Sequence, residues 1–307
     1  MARIVITGGA GFIASHITDA YIAIGHEVLV IDNLSSGKKE FINSKAHFVH
    51  ADIRSEQALS AITEFRPDFF NHHAAQMDVR LSVADPIFDA EVNIMGLLKI
   101  LQILPRTPCK KIIFASSGGA AYGEQLYFPA DEQHQTNPAS PYGVSKRCSE
   151  LYLNYYHQMH GVPYVALRYS NVYGPRQNPH GEAGVVAIFA QKCLKHQRCA
   201  IYGDGEQTRD FVYVGDVVKA NLRALTVPFC GEVNIGTGVE TSINAVFKEI
   251  STQASGEQGV DFFAKKPGEQ KRSVLSYQKA QQVLDWAPSV TFSLGIKQTL
   301  HYFAQSK

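Results

Sequence analysis

The feature that most constrains this chain is a glycine-rich turn set directly behind an apolar run near its start. In RIVITGGAGFIASH the β-branched run ends at Thr7, and Gly8, Gly9, Gly11 and Ala14 follow at once. The spacing fits G-x-G-x-x-G/A through Gly9, Gly11 and Ala14, and T-G-x-x-G-x-x-G/A through Gly8, Gly11 and Ala14. Small residues there let the backbone turn sharply from strand to helix and come close to a pyrophosphate. The helix N-terminus meets that group with free N–H groups and the positive end of its dipole. Alone, such a turn is weak evidence. Its weight comes from Asp32, which ends the second apolar run, VLVID, 21 residues past Gly11. A carboxylate at that place bonds the ribose 2′-hydroxyl of NAD and repels the 2′-phosphate of NADP.

The rest of the first half keeps the same rhythm. Arg3 to Thr7, Glu27 to Ile31, His47 to Ala51, Pro67 to Asn71, Lys111 to Ser116 and Pro163 to Arg168 read as strands, with amphipathic helical patterns between them. Strands separated by helices, and uninterrupted apolar runs such as IVI, VLVI and IIFA, suit a parallel sheet buried on both faces. The expected fold is therefore α/β: a doubly wound parallel sheet of the Rossmann type with a smaller α/β C-terminal substrate domain. The cofactor-binding domain is placed at 1–169. The region 170–307, richer in Pro/Gly loops, is expected mainly to bind substrate, with segments near 211–238 rejoining the first domain.

Composition narrows the function classes. With 45% hydrophobic and 19% charged residues over 307 positions, a sizeable core is available and disorder is excluded. Lys+Arg at 29 against Asp+Glu at 28 leave a formal charge of +1, so no net field draws in nucleic acid or an anionic membrane. Any bound anion must be met by placed groups. Five cysteines without a C-x-x-C argue against a disulfide framework and for a reducing compartment, hence a cytoplasmic protein. The N-terminal apolar run is broken by glycines and reads as a buried strand, not a signal peptide, and no stretch approaches membrane-spanning length.

Tyr142 and Lys146, in SPYGVSK, are four residues apart behind Pro141, so on a helix they share a face. An ammonium beside a phenol favours the phenolate, which lets Tyr142 take a proton from a sugar or alcohol hydroxyl near neutral pH. By itself YxxxK is a common accident, a packed tyrosine and a surface lysine. Its place after the glycine-rich turn and after a run ending FASSGG changes that balance.

Taken together, TGGAGFI, YGVSK and LRYSNVYGPRQ make the chain resemble the extended short-chain dehydrogenase/reductase family, in its group of nucleotide-sugar epimerases and dehydratases. Within that group ASSGGAAYGE, NPHGEAGVVAIF, IYGDGEQTRDFVYVGD and PGEQKRS are most similar to bacterial and archaeal UDP-glucose 4-epimerases. The resemblance implies NAD held by Gly8, Gly11, Phe12 and Ile13 at the turn and by Asp32, Asn33, Ser35, Ser36 and Gly37 at the adenosine ribose. It further implies Asp52 and Ile53 at the adenine, although Asp52 equally suits a cap for the helix starting near Ser55. Ala74, Ala75 and Gln76 fall on the pyrophosphate side, Asn93 near the nicotinamide end, and Tyr169 behind the nicotinamide, with Tyr142 and Lys146 completing the set.

One departure stands out. Family members carry a Ser or Thr four residues before the tyrosine of the VYG motif, where this chain has Gly118, so the sugar-polarising hydroxyl is assigned to its neighbour Ser117. A dehydratase would carry an Asp-Glu pair where Gly119 and Ala120 stand. For the UDP-sugar the resemblance implies Ser117, Asn171, Gly184, Val185, Tyr202, Arg209, Lys266, Glu269 and Arg272. Ser273 falls at the residue that gates the sugar C2 substituent, and its small side chain leaves room for N-acetylated forms.

The activity implied is interconversion of UDP-glucose and UDP-galactose through a transient 4-keto sugar. The alternatives are a UDP-glucuronate 4-epimerase or decarboxylase of the same family, or a catalytically silent NAD-binding subunit. His72, His73, His157, His160 and His180 form no ligand set at useful spacing, so no metal is expected. A homodimer through helices near 89–104 and 145–160 is implied, with Ile94, Leu97, Leu98, Leu101, Leu151 and Tyr155 equally suited to interface or core.

Overall fold

In the computed structural model residues 1–180, 184–254, 259–265 and 270–305 are described. The first six strands are β1 (Arg3–Thr7), β2 (Glu27–Asp32), β3 (His47–His50), β4 (Phe69–His72), β5 (Lys111–Ser117) and β6 (Tyr164–Tyr169). They match the six expected runs, with ends displaced by one or two residues. At β4 the reason is visible: Pro67 has no N–H to give a ladder, and Asp68 makes the first bond to β1, its N–H donating to the Arg3 carbonyl at 2.7 Å while its carboxylate accepts from the Arg3 N–H at 2.9 Å.

After these come β7 (Asn171–Tyr173), β8 (Cys199–Tyr202), β9 (Thr208–Arg209), β10 (Phe211–Tyr213), β11 (Gly231–Ile235), β12 (Thr241–Ser242) and β13 (Val260–Phe263). β11 pairs in parallel with β6, giving one seven-stranded parallel sheet in the order β11-β6-β5-β4-β1-β2-β3. The short strands β7 with β10 and β8 with β13 pair in parallel, and β9 with β12 antiparallel.

Successive side chains of a strand point to opposite faces, so a sheet covered on both sides needs apolar residues at every position. Ile4, Ile6, Val28 and Val30 pack on one side with Ile17, Tyr21 and Val217. Val5, Leu29, Ile31 and Phe70 pack on the other with Ile62, Leu97 and Leu153. A separate core of Phe189, Ile201, Phe211, Val246, Ile250 and Ile296 organises the C-terminal lobe.

Because every strand of the large sheet runs the same way, the segments leaving β1 to β6 all emerge at one edge. The order reverses between β1 and β4, which opens a crevice at that point.

Candidate active site

The glycine turn is shaped by close backbone contacts. Gly8 has φ +70°, a conformation that disfavours side chains, and a Cβ there would lie 2.7 Å from the Ala74 nitrogen. The turn after β1 therefore lies directly against the loop after β4. Gly11 is the N-cap of the helix Phe12–Ala23 without a side-chain cap, which leaves the first-turn N–H groups at the crevice. Phe12 and Ile13 begin that helix, Ile13 packing on the core.

Asp32, at the end of β2, is buried. One carboxylate oxygen accepts from the Ala10 N–H at 3.0 Å, the other from the Leu34 N–H at 2.7 Å. Asn33, Ser35 and Ser36 follow it on the exposed side, and Gly37 returns against Ala10, where a Cβ would come within 2.9 Å. A carboxylate oriented by two backbone donors and flanked by a small-residue turn fits the ribose and pyrophosphate of a dinucleotide.

Asp52 is not the cap of the next helix. Ser55 is, its hydroxyl accepting from the Ala58 N–H. The Arg54 guanidinium pairs with Asp52 at 2.9 Å and holds its carboxyl below the usual range, while Asn33 donates to it at 3.3 Å. The Ile53 side chain belongs to the core beneath Gly96, which leaves its backbone for any contact with an adenine.

Asn93, expected near the nicotinamide end, packs against the Ala74–Gln76 loop. It is 3% exposed and spends its amide on its surroundings. Its Oδ1 accepts from the Gln76 N–H, and its Nδ2 donates to the Gln76 carbonyl and to Asp89, all within 3.0 Å. Asn93 thus clamps the Ala74, Ala75 and Gln76 loop from within a single π-helical turn, Glu91–Met95. Asp89 also accepts from Ser145 at 2.6 Å, tying this loop to the helix Pro141–His160. Sequence reading missed Asp89; one of three acids in ADPIFDAEVNI, it carries no spacing signal that sets it apart.

That helix carries Tyr142 and Lys146. Ser140 caps it, Pro141 opens it, and Gly143 lets it approach the turn after β5: a Cβ there would stand 2.4 Å from the Ala120 carbonyl oxygen. Lys146 is buried. Its Nζ donates to the Ala115 carbonyl at 2.8 Å and lies 5.7 Å from the Tyr142 ring centroid. Burial pulls the Lys146 ammonium down to about 8, against the carboxylates of Asp89 and Glu150. Ser117 ends β5 two residues beyond Ala115, and its hydroxyl accepts from the Ala120 N–H at 3.4 Å, a long bond that leaves the group adjustable. Directly across the ladder stands Tyr169, whose hydroxyl contacts His73 at 3.1 Å and Asn221 at 2.9 Å. Lys146, Ser117 and Tyr169 meet at one edge of the sheet.

Across the crevice the structure places Asn171 on β7, exposed, with its N–H bonded to the Asp210 carbonyl at 2.9 Å. Gly184 caps the helix Val185–Leu194, Tyr202 ends β8, and Arg209 lies on β9 with its guanidinium on the Thr208 carbonyl at 2.7 Å. Arg272 is already engaged: it forks onto Glu240 at 2.8 and 2.9 Å and lies 3.7 Å over the Phe128 ring. Lys266 and Glu269 lie outside the described residues. Ser273 is buried, and its Oγ stands 3.2 Å from where a Cβ of Gly119 would be.

Comparison with known proteins agrees in kind. The model of the NAD dependent epimerase/dehydratase family matches residues 4–236. A putative UDP-glucose 4-epimerase of Methanocaldococcus jannaschii is 48% identical over 97% of each chain. The UDP-glucose 4-epimerase of Thermotoga maritima, solved with UDP-glucose, is 43% identical, with a TM-score of 0.97 over 99% of each chain. The UDP-glucose 4-epimerase of Thermus thermophilus, solved with NAD, is 43% identical, with a TM-score of 0.95 over 99% of this chain and 100% of that one.

Proposed function

The chain belongs to the NAD dependent epimerase/dehydratase family, and from that premise we propose that it is a UDP-hexose 4-epimerase interconverting UDP-glucose and UDP-galactose. The observation that carries the reading is a convergence at the crevice edge. A buried Lys146 stands beside Tyr142 and bonds the β5 carbonyl two residues before Ser117. The Gly8–Gly11 turn, Asp32 and the Ala74–Gln76 loop would hold NAD, which when bound would supply reversible acceptance of the C4 hydride and make the reaction redox-neutral. Tyr142 takes the C4 hydroxyl proton and later returns it. Lys146, kept from water, holds positive charge next to the phenol and favours its ionised form. The Ser117 hydroxyl polarises and orients the C4 oxygen.

An epimerase must return to either face of C4 and so must let the sugar turn while the nucleotide stays fixed. Anchoring falls to Asn171, Gly184, Val185, Tyr202, Arg209 and Arg272, on the opposite wall from Tyr142. Residues 1–169 with β11 form the cofactor side and most of 170–307 the substrate side. The small pair Gly119 and Ser273 supports acceptance of N-acetylated UDP-hexosamines as well.

A homodimer in the cytoplasm completes the reading. Its support is a row of exposed apolar residues, Val144, Leu151, Tyr155 and Met159 on the Tyr142 helix and Ile87 and Met95 beside it. Leu97 and Leu101, by contrast, are core. Among the described residues no helix is long and apolar enough to cross a membrane.

The test is chromatographic. Purified NAD-loaded enzyme should convert UDP-glucose to an equilibrium mixture with UDP-galactose, and Tyr142→Phe should abolish conversion. Absence of product from the wild type, or an undiminished Tyr142→Phe, sinks the reading.

A further inference from the structure

Glu150 stands one helical turn beyond Lys146 and two beyond Tyr142, on the same face of the helix. It is fully buried, and both carboxylate oxygens are engaged. Oε1 accepts from Ser116 Oγ at 2.7 Å and Arg168 Nε at 2.8 Å. Oε2 accepts from Arg168 Nη2 at 2.7 Å and Arg147 Nη1 at 3.0 Å. Arg168 also donates to the Tyr122 hydroxyl at 2.9 Å, which in turn donates to Asn234 at 2.8 Å. Burial raises the Glu150 carboxyl, but its bonds to Arg168 and Ser116 bring it below the usual range, so it is a carboxylate at neutral pH.

A buried ion pair is an inefficient source of stability, since desolvation of both charges offsets most of their attraction. Its position is more informative. Through Ser116 the carboxylate touches the residue before Ser117; through Arg168 it touches the residue before Tyr169; along its own helix it faces Lys146. It joins β5, which ends at Ser117, and β6, which ends at Tyr169, to the helix that bears Tyr142 and Lys146.

We propose that Glu150 is a positioning residue: clamped by Arg168, it fixes the Ser116–Ser117 corner against the Tyr142–Lys146 helix and keeps Lys146 an ammonium. This rests on the function proposed above. Glu150 need not contact substrate or cofactor to act in this way.

The electrostatic half can be checked against every group around Lys146. Glu150 and Tyr142 face it from its own helix, Asp89 from the helix Pro86–Ala90, His72 from the end of β4 and His73 from just beyond it, with the Ala115 carbonyl from β5. Burial and Lys146 push both histidines down to about 3, so they are neutral near pH 7. Asp89 and Glu150 are the two carboxylates whose charge opposes the desolvation of Lys146. Arg147 and Arg168 act on it through Glu150.

Removing charge at 150 therefore lets Lys146 lose its proton at lower pH. Removing Arg147, whose side chain is 30% exposed, leaves Glu150 less neutralised and has the opposite effect. The experiment is the pH dependence of kcat for NAD-loaded wild type, Glu150→Gln, Arg147→Met and Ser116→Ala, with products separated by chromatography. In Glu150→Gln the basic limb should move down by about half a pH unit or more, with kcat at pH 7 falling about tenfold and KM changing less. In Arg147→Met the limb should move up. Ser116→Ala, which retains the carboxylate, should lower kcat without moving the limb.

Unmoved limbs in Glu150→Gln and Arg147→Met, with the wild type active and Tyr142→Phe inactive, overturn the role of Glu150 and leave the epimerase reading intact. If Glu150→Gln does not fold, the direction of the Arg147→Met shift decides alone. No product from the wild type removes the reading and this inference together.

Discussion

Leu275 fills the space of the side chain that Gly118 lacks: a Cβ on Gly118 would stand 2.5 Å from Leu275 Cδ1. Leu275 is fully buried against Tyr122 and Ala130, and its N–H is held by the Asp210 carboxylate at 3.2 Å. The position at which the resemblance implies a hydroxyl is thus closed by a leucine from the second lobe. Ser117 is the hydroxyl left at the end of β5.

Ser117→Ala should therefore lower kcat by about 10²-fold, the usual loss on removing one donor to a developing oxyanion. Adding a hydroxyl at the neighbouring place should not restore it. Gly118→Ser forces Leu275 to move in a closed cluster and should cost about 1–3 kcal/mol of stability. Steady-state kinetics and thermal melts of the single and double variants check both. A Ser117→Ala/Gly118→Ser enzyme as fast as wild type would show that the hydroxyl belongs at 118 after all.

Asp32 is aimed by the N–H groups of Ala10 and Leu34, so its carboxylate cannot turn away from an occupied ribose site. Asp32→Ala should weaken NAD binding by at least about tenfold, the value of a charged hydrogen bond, and narrow the preference for NAD over NADP. Calorimetry on cofactor-stripped protein measures both. Equal discrimination by variant and wild type would contradict the assignment.

The strands, the glycine turn and Asp32 were legible in the sequence because each depends on local chemistry: period, small residues, and an acid at a fixed distance along the chain. The parallel sheet followed from apolar runs that only burial on both faces explains. Asn93 shows where such reading stops. An asparagine in a helix says nothing of its partners, and its bonds to the Gln76 backbone depend on packing between segments 17 residues apart. The same holds for Leu275 and Gly118, separated by more than half the chain, and for Arg168, which in sequence is one arginine in an apolar strand. Lys146 and Glu150, four apart on one helix, did present a shared face; their meaning required the buried position that only the fold supplies.

His72 introduces an acid-sensitive term in stability. Burial pushes it down to about 3 from an ordinary 6.5, so between those values the unfolded chain binds a proton that the folded chain refuses. Its contribution is fully present above pH 6.5 and is lost as pH falls towards 3, by about 1.4 kcal/mol per pH unit. Melting temperatures from pH 7 to 4.5 should fall, and less steeply in His72→Gln. Parallel curves for the two proteins would refute the term.

Leu151 and Tyr155 are 53% and 52% exposed, one turn apart on the helix that carries Tyr142. If two copies of that helix face pack together, Leu151→Glu/Tyr155→Glu places four like charges in an apolar interface and should give a monomer by sedimentation. Wild type that already sediments as a monomer contradicts the proposed dimer.

On the proposed nucleotide-anchoring wall, Arg272 and Glu240 hold each other. The Arg272 fork is spent on both Glu240 oxygens, and Glu240 also accepts from Thr208 Oγ1 at 3.0 Å, beside Arg209. A diphosphate reaching this wall must displace or share that carboxylate, since a guanidinium in a bidentate pair has fewer donors to offer. The pair is partly exposed, with side chains 43% and 27% accessible, so water and salt screen it and it is readily broken. Glu240→Gln removes the competing charge while keeping a side chain of the same shape. UDP affinity should rise, by no more than about fivefold for so screened a pair. Arg272→Ala should reverse the gain in the double variant, and Arg209→Ala should weaken UDP in either background. Calorimetric titration with UDP reads all four proteins. Glu240→Gln binding UDP no more tightly than wild type would place Arg272 outside the anchor and leave it a strut between Glu240 and Phe128.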